Sequence, residues 1–357
     1  MNGGDQTSSV ALAFVPRVLR AELYPLAAGG ASAEEILERA KELDPAVSWL
    51  PDPQFLEGNA RALKPAGARV VLAGDQNYPP TLRNIHDPPL CLFVRGRLPA
   101  PGVATVAIVG SRASVGNSIL FSRDLARSLA AAGVPVVSGM ARGIDSAAHT
   151  GCLDGGTGTV AVLGCGVDVC YPRDNQSLMK RILMDGAIVS EYPMGTVPAA
   201  YHFPARNRII SGLCKGTVVV EAARGSGALV TARYASEQNR IVFAVPGAVW
   251  NPLSEGPNAL IRDGAVPVRG VDDVLDEMFG IVPRRRRGGS SPAPCTGRTE
   301  RAVLNALDYD LPQHVDSVAE VAGVPAARAL TMLLELEMKG LASQLRGKRF
   351  LRLSGRC

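Results

Sequence analysis

No run of about 18 uninterrupted apolar residues occurs in this 357-residue chain, so no membrane span is expected. The opening segment, MNGGDQTSSV, has no basic residue ahead of its short apolar run, so no signal peptide is expected and the expected location is cytoplasmic. Seven cysteines are present: Cys91, Cys152, Cys165, Cys170, Cys214, Cys295 and Cys357. No two have CxxC spacing, the number is odd, and most sit in apolar strand-like runs. That pattern reads as reduced thiols of a cytosolic protein rather than a disulfide framework. His149 stands three residues before Cys152, but nothing completes a ligand set, and no metal is expected. Strong charge of one sign is also lacking. The net charge of +5 falls short of a protein that coats duplex DNA, yet leaves room for a local basic patch.

Apolar residues make up 46% of the chain and charged residues 20%, which is the composition of a folded protein with a core. The chain reads as four stretches. Residues 1–95 form a helical region with a leading strand; Ser32 and Glu35 make a capping box ahead of Ile36, Leu37, Ala40 and Leu43 at helical spacing. Residues 96–280 alternate short β-branched runs (103–109, 134–138, 159–163, 187–190, 217–220, 241–245 and 266–268) with helical stretches such as 118–132 and 229–238. Apolar strands separated by helices predict an α/β, doubly wound, Rossmann-like parallel sheet, whose ligands bind beyond the carboxyl ends of the strands. Residues 281–296, with Arg284–Arg287 followed by Gly, Ser and Pro, read as a basic linker. Residues 297–357 hold helices over 300–307, 317–322 and 326–339, then a hairpin over 344–353, which is a winged-helix pattern.

The first strand of the α/β region runs into Gly110-Ser111-Arg112 and then a helix. Glycine lets backbone approach a ligand, the helix start offers N–H groups and positive dipole to an anion, and Arg112 adds a two-pronged phosphate donor. The loop is not G-x-G-x-x-G, and the next strand ends in Val-Val-Ser138-Gly139 with no carboxylate for a dinucleotide ribose. There is no Gly-Lys-Ser/Thr phosphate loop and no G-x-S-x-G elbow; no cofactor is expected. Other strand ends bring Gly139 with Arg142, Ser190-Glu191-Tyr192 and Arg224-Gly225-Ser226-Gly227, while Arg206-Asn207-Arg208 precedes the fifth strand. Four arginine-bearing loops on one rim suit a run of phosphates better than a single one. Tyr171, Tyr192, Tyr201, Phe203 and Trp250 fall in loops, where they would stack on bases or simply pack. Arg206 and Arg208, read as lying just ahead of a helix starting at Ile209, are expected to clamp adjacent phosphates.

Taken together, the motifs resemble the DNA-processing protein A family, also called DprA or Smf. The resemblance runs from Asp75-Gln-Asn-Tyr-Pro to Asp276. It includes Val109-Gly-Ser-Arg112, Ser138-Gly-Met-Ala-Arg-Gly-Ile-Asp145, Phe203-Pro204 with Arg206-Asn-Arg-Ile-Ile-Ser211, Ser226-Gly-Ala-Leu229 and Val245-Pro-Gly247. It implies a non-catalytic protein of natural transformation that binds and protects incoming single-stranded DNA, helps load the RecA recombinase, and dimerises through the Rossmann-like domain. Carried over residue by residue, the DNA site would involve Gly110, Ser111, Arg112, Gly139, Arg142, Arg206 and Arg208, with Lys180 or Arg181 nearby, and Asn207 and Arg224 in the same loops. Two departures stand out: Gly225 where the family often has a basic residue, and Pro257 where it often has Cys, Ser or Thr before Asn258.

The rival readings are a nucleotide-processing enzyme resembling the phosphoribohydrolases and a sensor of a small phosphorylated nucleotide. The first needs a P-G-G-x-G-T-x-x-E loop. The only Pro-Gly after a strand here is Pro246-Gly247, with no carboxylate at the right spacing. Asp145, Asp168, Glu191 and Glu221 sit at strand ends and read as caps and arginine partners.

Overall fold

The structure is a computed structural model that describes residues 3–114, 116–280, 297–309, 311–345 and 347–353. Two compact units divide the chain, one formed by most of residues 1–281 and one holding the tail from 282 onward. The linker expected at 281–296 lies outside the described residues.

The larger unit opens with four helices, α1 (Gly3–Ala11), α2 (Arg17–Ala28), α3 (Ala33–Leu43) and α4 (Pro53–Leu63). The capping box at the start of α3 is complete, with Ser32 accepting from the Glu35 amide and Glu35 from the Ser32 amide. Asp52 caps α4 through the Phe55 amide, and Pro53 fits the first turn, where its missing N–H costs nothing. Leu23, Ile36, Ala40, Leu56 and Leu63 are buried and share one core with the sheet.

The central sheet has nine strands. These are β1 (Ala68–Leu72), β2 (Cys91–Gly96), β3 (Val106–Val109), β4 (Val136–Ser138), β5 (Val160–Leu163), β6 (Ala187–Ser190), β7 (Gly216–Val219), β8 (Ile241–Ala244) and β9 (Val266–Pro267). Their spatial order is β1-β2-β6-β5-β4-β3-β7-β8-β9. β1 and β2, read above with the helical region, are thus the edge of the central sheet; β1–β2 and β2–β6 are antiparallel and every later pair is parallel. Every residue of β3–β7 is buried, as apolar runs covered on both faces require. Helices α5 (Asn117–Ala131), α6 (Ile144–Asp154), α7 (Gln176–Asp185), α8 (His202–Gly212), α9 (Gly227–Glu237), α10 (Glu255–Arg262) and α11 (Val271–Phe279) connect and cover the strands. After β3 the chain builds outward through β4 and β5 on one side, and β7 to β9 extend the other. The order therefore reverses between β3 and β7, and a doubly wound sheet opens its ligand crevice at that point.

The smaller unit holds α12 (Arg298–Asn305), β10 (Gln313–His314), α13 (Val315–Ala322), α14 (Ala326–Met338), β11 (Ala342–Leu345) and β12 (Arg349–Arg352), with sheet order β10-β12-β11. Gly323 closes α13 in the left-handed region, and α13 and α14 meet at 103° across a three-residue turn. That is helix-turn-helix geometry, completing a winged helix around Val303, Val318, Leu333, Leu336 and Phe350. β10 carries no apolar alternation and gave no signal in the sequence. Among the described residues no single helix is long and apolar enough to cross a membrane.

Candidate nucleic-acid interface

A cleft of roughly 690 Å³ opens at the carboxyl ends of β3, β4 and β7, at the point where the strand order reverses. The β3 loop supplies Gly110, Ser111, Arg112 and Ala113; the start of α9 supplies Ser226, Gly227 and Ala228; α8 supplies Phe203, Arg206 and Asn207; Tyr171 closes one wall. Two glycines let these loops meet. A Cβ on Gly110 would stand 2.6 Å from Ile144. Gly143 has φ +77°, and a Cβ there would strike the Ser111 carbonyl oxygen. The Ser111 amide donates to the Glu221 carbonyl at 2.7 Å, which ties the β3 loop to the end of β7.

Arg206 is buried under the cleft floor. Its Nη1 donates to the Gly139 carbonyl at 3.2 Å and its Nε to Asn207 Oδ1 at 3.3 Å, while Asn207 Nδ2 donates to the Gly227 carbonyl at 3.1 Å. Asp145 Oδ2 accepts from the Gly139 and Ala141 amides at 3.1 and 3.3 Å, fixing the β4 loop beside the guanidinium. Burial pulls Arg206 down to about 10, Asp145 opposing and Arg112 adding to that shift, so it stays cationic at neutral pH. Burial raises the Asp145 carboxyl, with Arg206 and the Ala141 and Gly139 amides pulling the other way. Above the floor, the exposed Arg112 guanidinium lies 5.3 Å from the centre of the Phe203 ring, and Phe203 and Tyr171 sit 5.4 Å apart. Among the described residues Arg112 has no carboxylate within ion-pair distance. Two cations, the capped N-terminus of α9 and two aromatic faces thus converge on one opening. Cations and helix-start amides of this kind attract anions, and exposed rings offer faces on which flat groups stack.

The other residues singled out in the sequence lie elsewhere. Arg142 is 65% exposed and pairs with Asp174 at 2.6 Å. Arg181 joins Arg123 on Asp154, at 2.8 and 2.7 Å, and Lys180 is exposed on α7. Arg224 is 90% exposed, 3.7 Å from Glu255. Arg208 is the clear departure. It is 3% exposed, bonded to Glu191 at 2.6 and 2.9 Å and to Asp87 at 3.1 Å, with Arg20 on the same Glu191. The expected twin clamp of Arg206 and Arg208 is therefore not built. The helix begins at His202 rather than Ile209, so both arginines are helical. Residues two apart on a helix lie about 200° apart around its axis, and Arg208 turns away from the cleft.

Of the strand-end carboxylates, Asp168 accepts from the Gly195 amide through both oxygens, Glu191 holds two arginines, and Glu221 accepts from Asn251 at 3.3 Å. Asp145 is the only carboxylate among the described cleft-lining residues. His149 is wholly buried, with Nδ1 2.8 Å from the Thr159 hydroxyl, and among the described residues no three acidic, histidine or cysteine side chains form a metal cluster. Pro198 and Ala200 also line the cleft; uncharged and non-aromatic, they carried no signal.

The matches to known proteins bear on the same elements. A family model described as DNA recombination-mediator protein A matches residues 69–279, and one described as the DprA winged helix domain matches residues 290–348. Protein Smf of Escherichia coli (strain K12) is 39% identical over 324 residues, covering 89% of this chain and 82% of that protein. DNA processing protein DprA of Streptococcus pneumoniae is 44% identical over 204 residues, covering 57% of this chain and 72% of its own. The solved structure of the pneumococcal protein superposes with a TM-score of 0.63 at 32% identity, over 76% of this chain and 96% of that one. A Helicobacter pylori DNA processing protein A, solved for its single-stranded DNA binding mode, gives a TM-score of 0.53 at 27% identity, over 59% and 94%. From the winged helix at its end to the sheet that forms the cleft, this chain belongs to the DNA recombination-mediator protein A (DprA/Smf) family.

Proposed function

We propose that this protein binds single-stranded DNA without regard to sequence, along the cleft at the carboxyl ends of the parallel strands, as a non-catalytic cytoplasmic component of natural transformation. The observation that carries the reading is the pairing of the exposed Arg112 with the buried, cationic Arg206 beside the Phe203 and Tyr171 rings. Arginines and a helix N-terminus read phosphate, rings read any base, and no element there reads base edges. The binding mode described for the Helicobacter pylori relative supports the same ligand. Gly110, Ser111, Arg112, Arg206 and Asn207 are the proposed contacts, with Gly139 shaping the floor and Arg142, Lys180, Arg181 and Arg224 as outlying cations. Arg208 braces the fold instead. In this reading the protein protects incoming DNA and passes it to the RecA recombinase, a role that fits the recombination-mediator description of the family; it acts as a homodimer joined through the Rossmann-like domain.

Fluorescence anisotropy with labelled single-stranded and duplex oligonucleotides, with mononucleotides as competitors, tests it. Tight, salt-sensitive binding of single strands, weak binding of duplex and no displacement by mononucleotides are expected. Displacement by micromolar mononucleotide would favour a nucleotide sensor, and nucleotide turnover an enzyme. Light scattering checks the dimer.

A further inference from the structure

Beyond the cleft, the same rim of the sheet carries an aromatic residue that the fold leaves bare. Trp250 is 80% exposed and its neighbour Val249 87%, although a water-exposed indole forfeits burial worth about 25 cal/mol per Å². The loop that displays them is tightly held. The Gly247 amide donates to Asn258 Oδ1 and Asn258 Nδ2 returns to the Gly247 carbonyl, at 3.2 and 3.0 Å. The Asn251 amide donates to the Ala248 carbonyl, Asn251 Oδ1 caps the Leu253 amide, and the Ala222 amide donates to the Leu253 carbonyl at 2.7 Å. Asn251 also reaches Glu221, whose carbonyl holds Ser111 of the cleft. The indole is thus presented by a loop with little left to lose in ordering, which favours binding.

Its position is set by strand order. β3, β7 and β8 are neighbours, so at about 4.8 Å per strand the end of β8 lies roughly 10 Å from the end of β3. Arg224, almost fully exposed, stands between them, near Glu255. On the reading that the cleft binds single-stranded DNA, we infer that the strand continues from Phe203 past Arg112 and Arg224 and stacks a further base on Trp250. The site then extends across the β7 and β8 loops rather than ending at the cleft. A stacked base suits an exposed indole one strand along from an arginine-bearing loop, since every base offers a flat face and each link a phosphate.

The chain has two tryptophans, which makes the test direct. In a Trp49→Phe background, saturating single-stranded DNA should quench and blue-shift Trp250 emission. Trp250→Ala should raise Kd about tenfold for a long oligonucleotide and Trp250→Phe should restore most of it. A very short oligonucleotide, filling only the cleft, should bind both variants alike. DNA binding with unchanged Trp250 emission and an unaffected Trp250→Ala variant would overturn the extension while leaving the cleft intact. A Trp250→Ala variant that instead dissociates a DNA-free dimer, with affinity per protomer unchanged, would assign the indole to a second copy and overturn it equally. Failure of the wild-type protein to bind any single strand would count against the cleft itself.

Discussion

Arg112 and Arg208 carry the same side chain in opposite circumstances, and their removal should separate binding from stability. Arg112 is exposed, rests on Phe203 and has no carboxylate at ion-pair distance among the described residues. Replacing it with alanine forfeits an exposed cation–π interaction, about 0.5–1 kcal/mol of fold stability at most. The same change removes a charged hydrogen bond to phosphate, which costs about 1.5–3 kcal/mol of binding, roughly 10- to 150-fold in Kd. The slope of log K against log salt should also shrink by about 0.7. Arg208→Ala removes one of two arginines on Glu191, which keeps Arg20, and one of two on Asp87, which keeps Arg17; breaking a buried pair from one side costs at most about 3–5 kcal/mol of stability. Anisotropy across a salt series, with thermal melts of each variant, reads both quantities. Arg112→Ala should melt near wild type yet bind weakly; Arg208→Ala should melt early, and its folded fraction should bind normally at 25 °C. An Arg112→Ala protein with wild-type affinity and unchanged salt slope would refute the placement of DNA in the cleft.

Gly139→Ala should weaken binding by about 1.5–3 kcal/mol and lower stability as well, because the new methyl would sit 2.6 Å from Arg206 Nη2 and 2.8 Å from Asp145 Oδ2 and push the buried guanidinium off its partners; wild-type affinity in the folded variant would count against Arg206 as a phosphate contact. Acid should destabilise the protein in two stages. His149, neutral in the fold, is lowered by burial from 6.5 to about 3, so unfolded chains take up its proton first and stability falls as pH drops from about 6.5. Glu191, which burial would raise but Arg208 and Arg20 pull from 4.5 to about 2, adds a second loss between those values, each near 1.4 kcal/mol per pH unit at most. Urea melts of the wild type and of Glu191→Gln between pH 7 and 3 check this: Asp154 and Asp273 are lowered too and remain, so the variant should show a shallower second loss. A chain ended at Pro283 should fold and bind single-stranded DNA with modest loss, since every cleft residue lies upstream and the tail has its own core; complete loss of binding by the folded fragment would move the site to the winged helix.

The strands were legible in the sequence because β-branched, wholly apolar runs have few other uses. Residues 187–190 coincide with β6, and 217–220 fall one residue from β7. Arg112 was legible because it follows a strand end and a glycine. Helix α8 was not. It starts at His202 behind Tyr201, which makes no side-chain cap, and Pro204 stands inside its first turn. With no cap residue to announce it, the proline read as a break, although a first-turn proline is tolerated. The fate of Arg208 was hidden for another reason: its carboxylate partners lie 17 and 121 residues away, and only folding brings them together.

That hidden helix also explains why one arginine of the pair, rather than both, reaches the cleft. In an extended loop, side chains two apart share a face, and both guanidinium groups would point at the same ligand on flexible stems. On α8 they diverge, and the one turned inward is held by Glu191, Asp87 and, through its carbonyl, by Gln238 Nε2 at 2.9 Å. This anchors the helix against β6 and, through Arg20, against α2. Arg206 inherits a fixed backbone, and Gly139 and Asn207 fix its guanidinium from above and beside. Desolvating Arg206 is therefore a cost met when the protein folds rather than when DNA arrives, and no rotamer freedom remains to be lost on binding. Two mobile arginines would offer more hydrogen bonds; one arginine already in place offers a charge, partly offset by Asp145, that needs no further ordering.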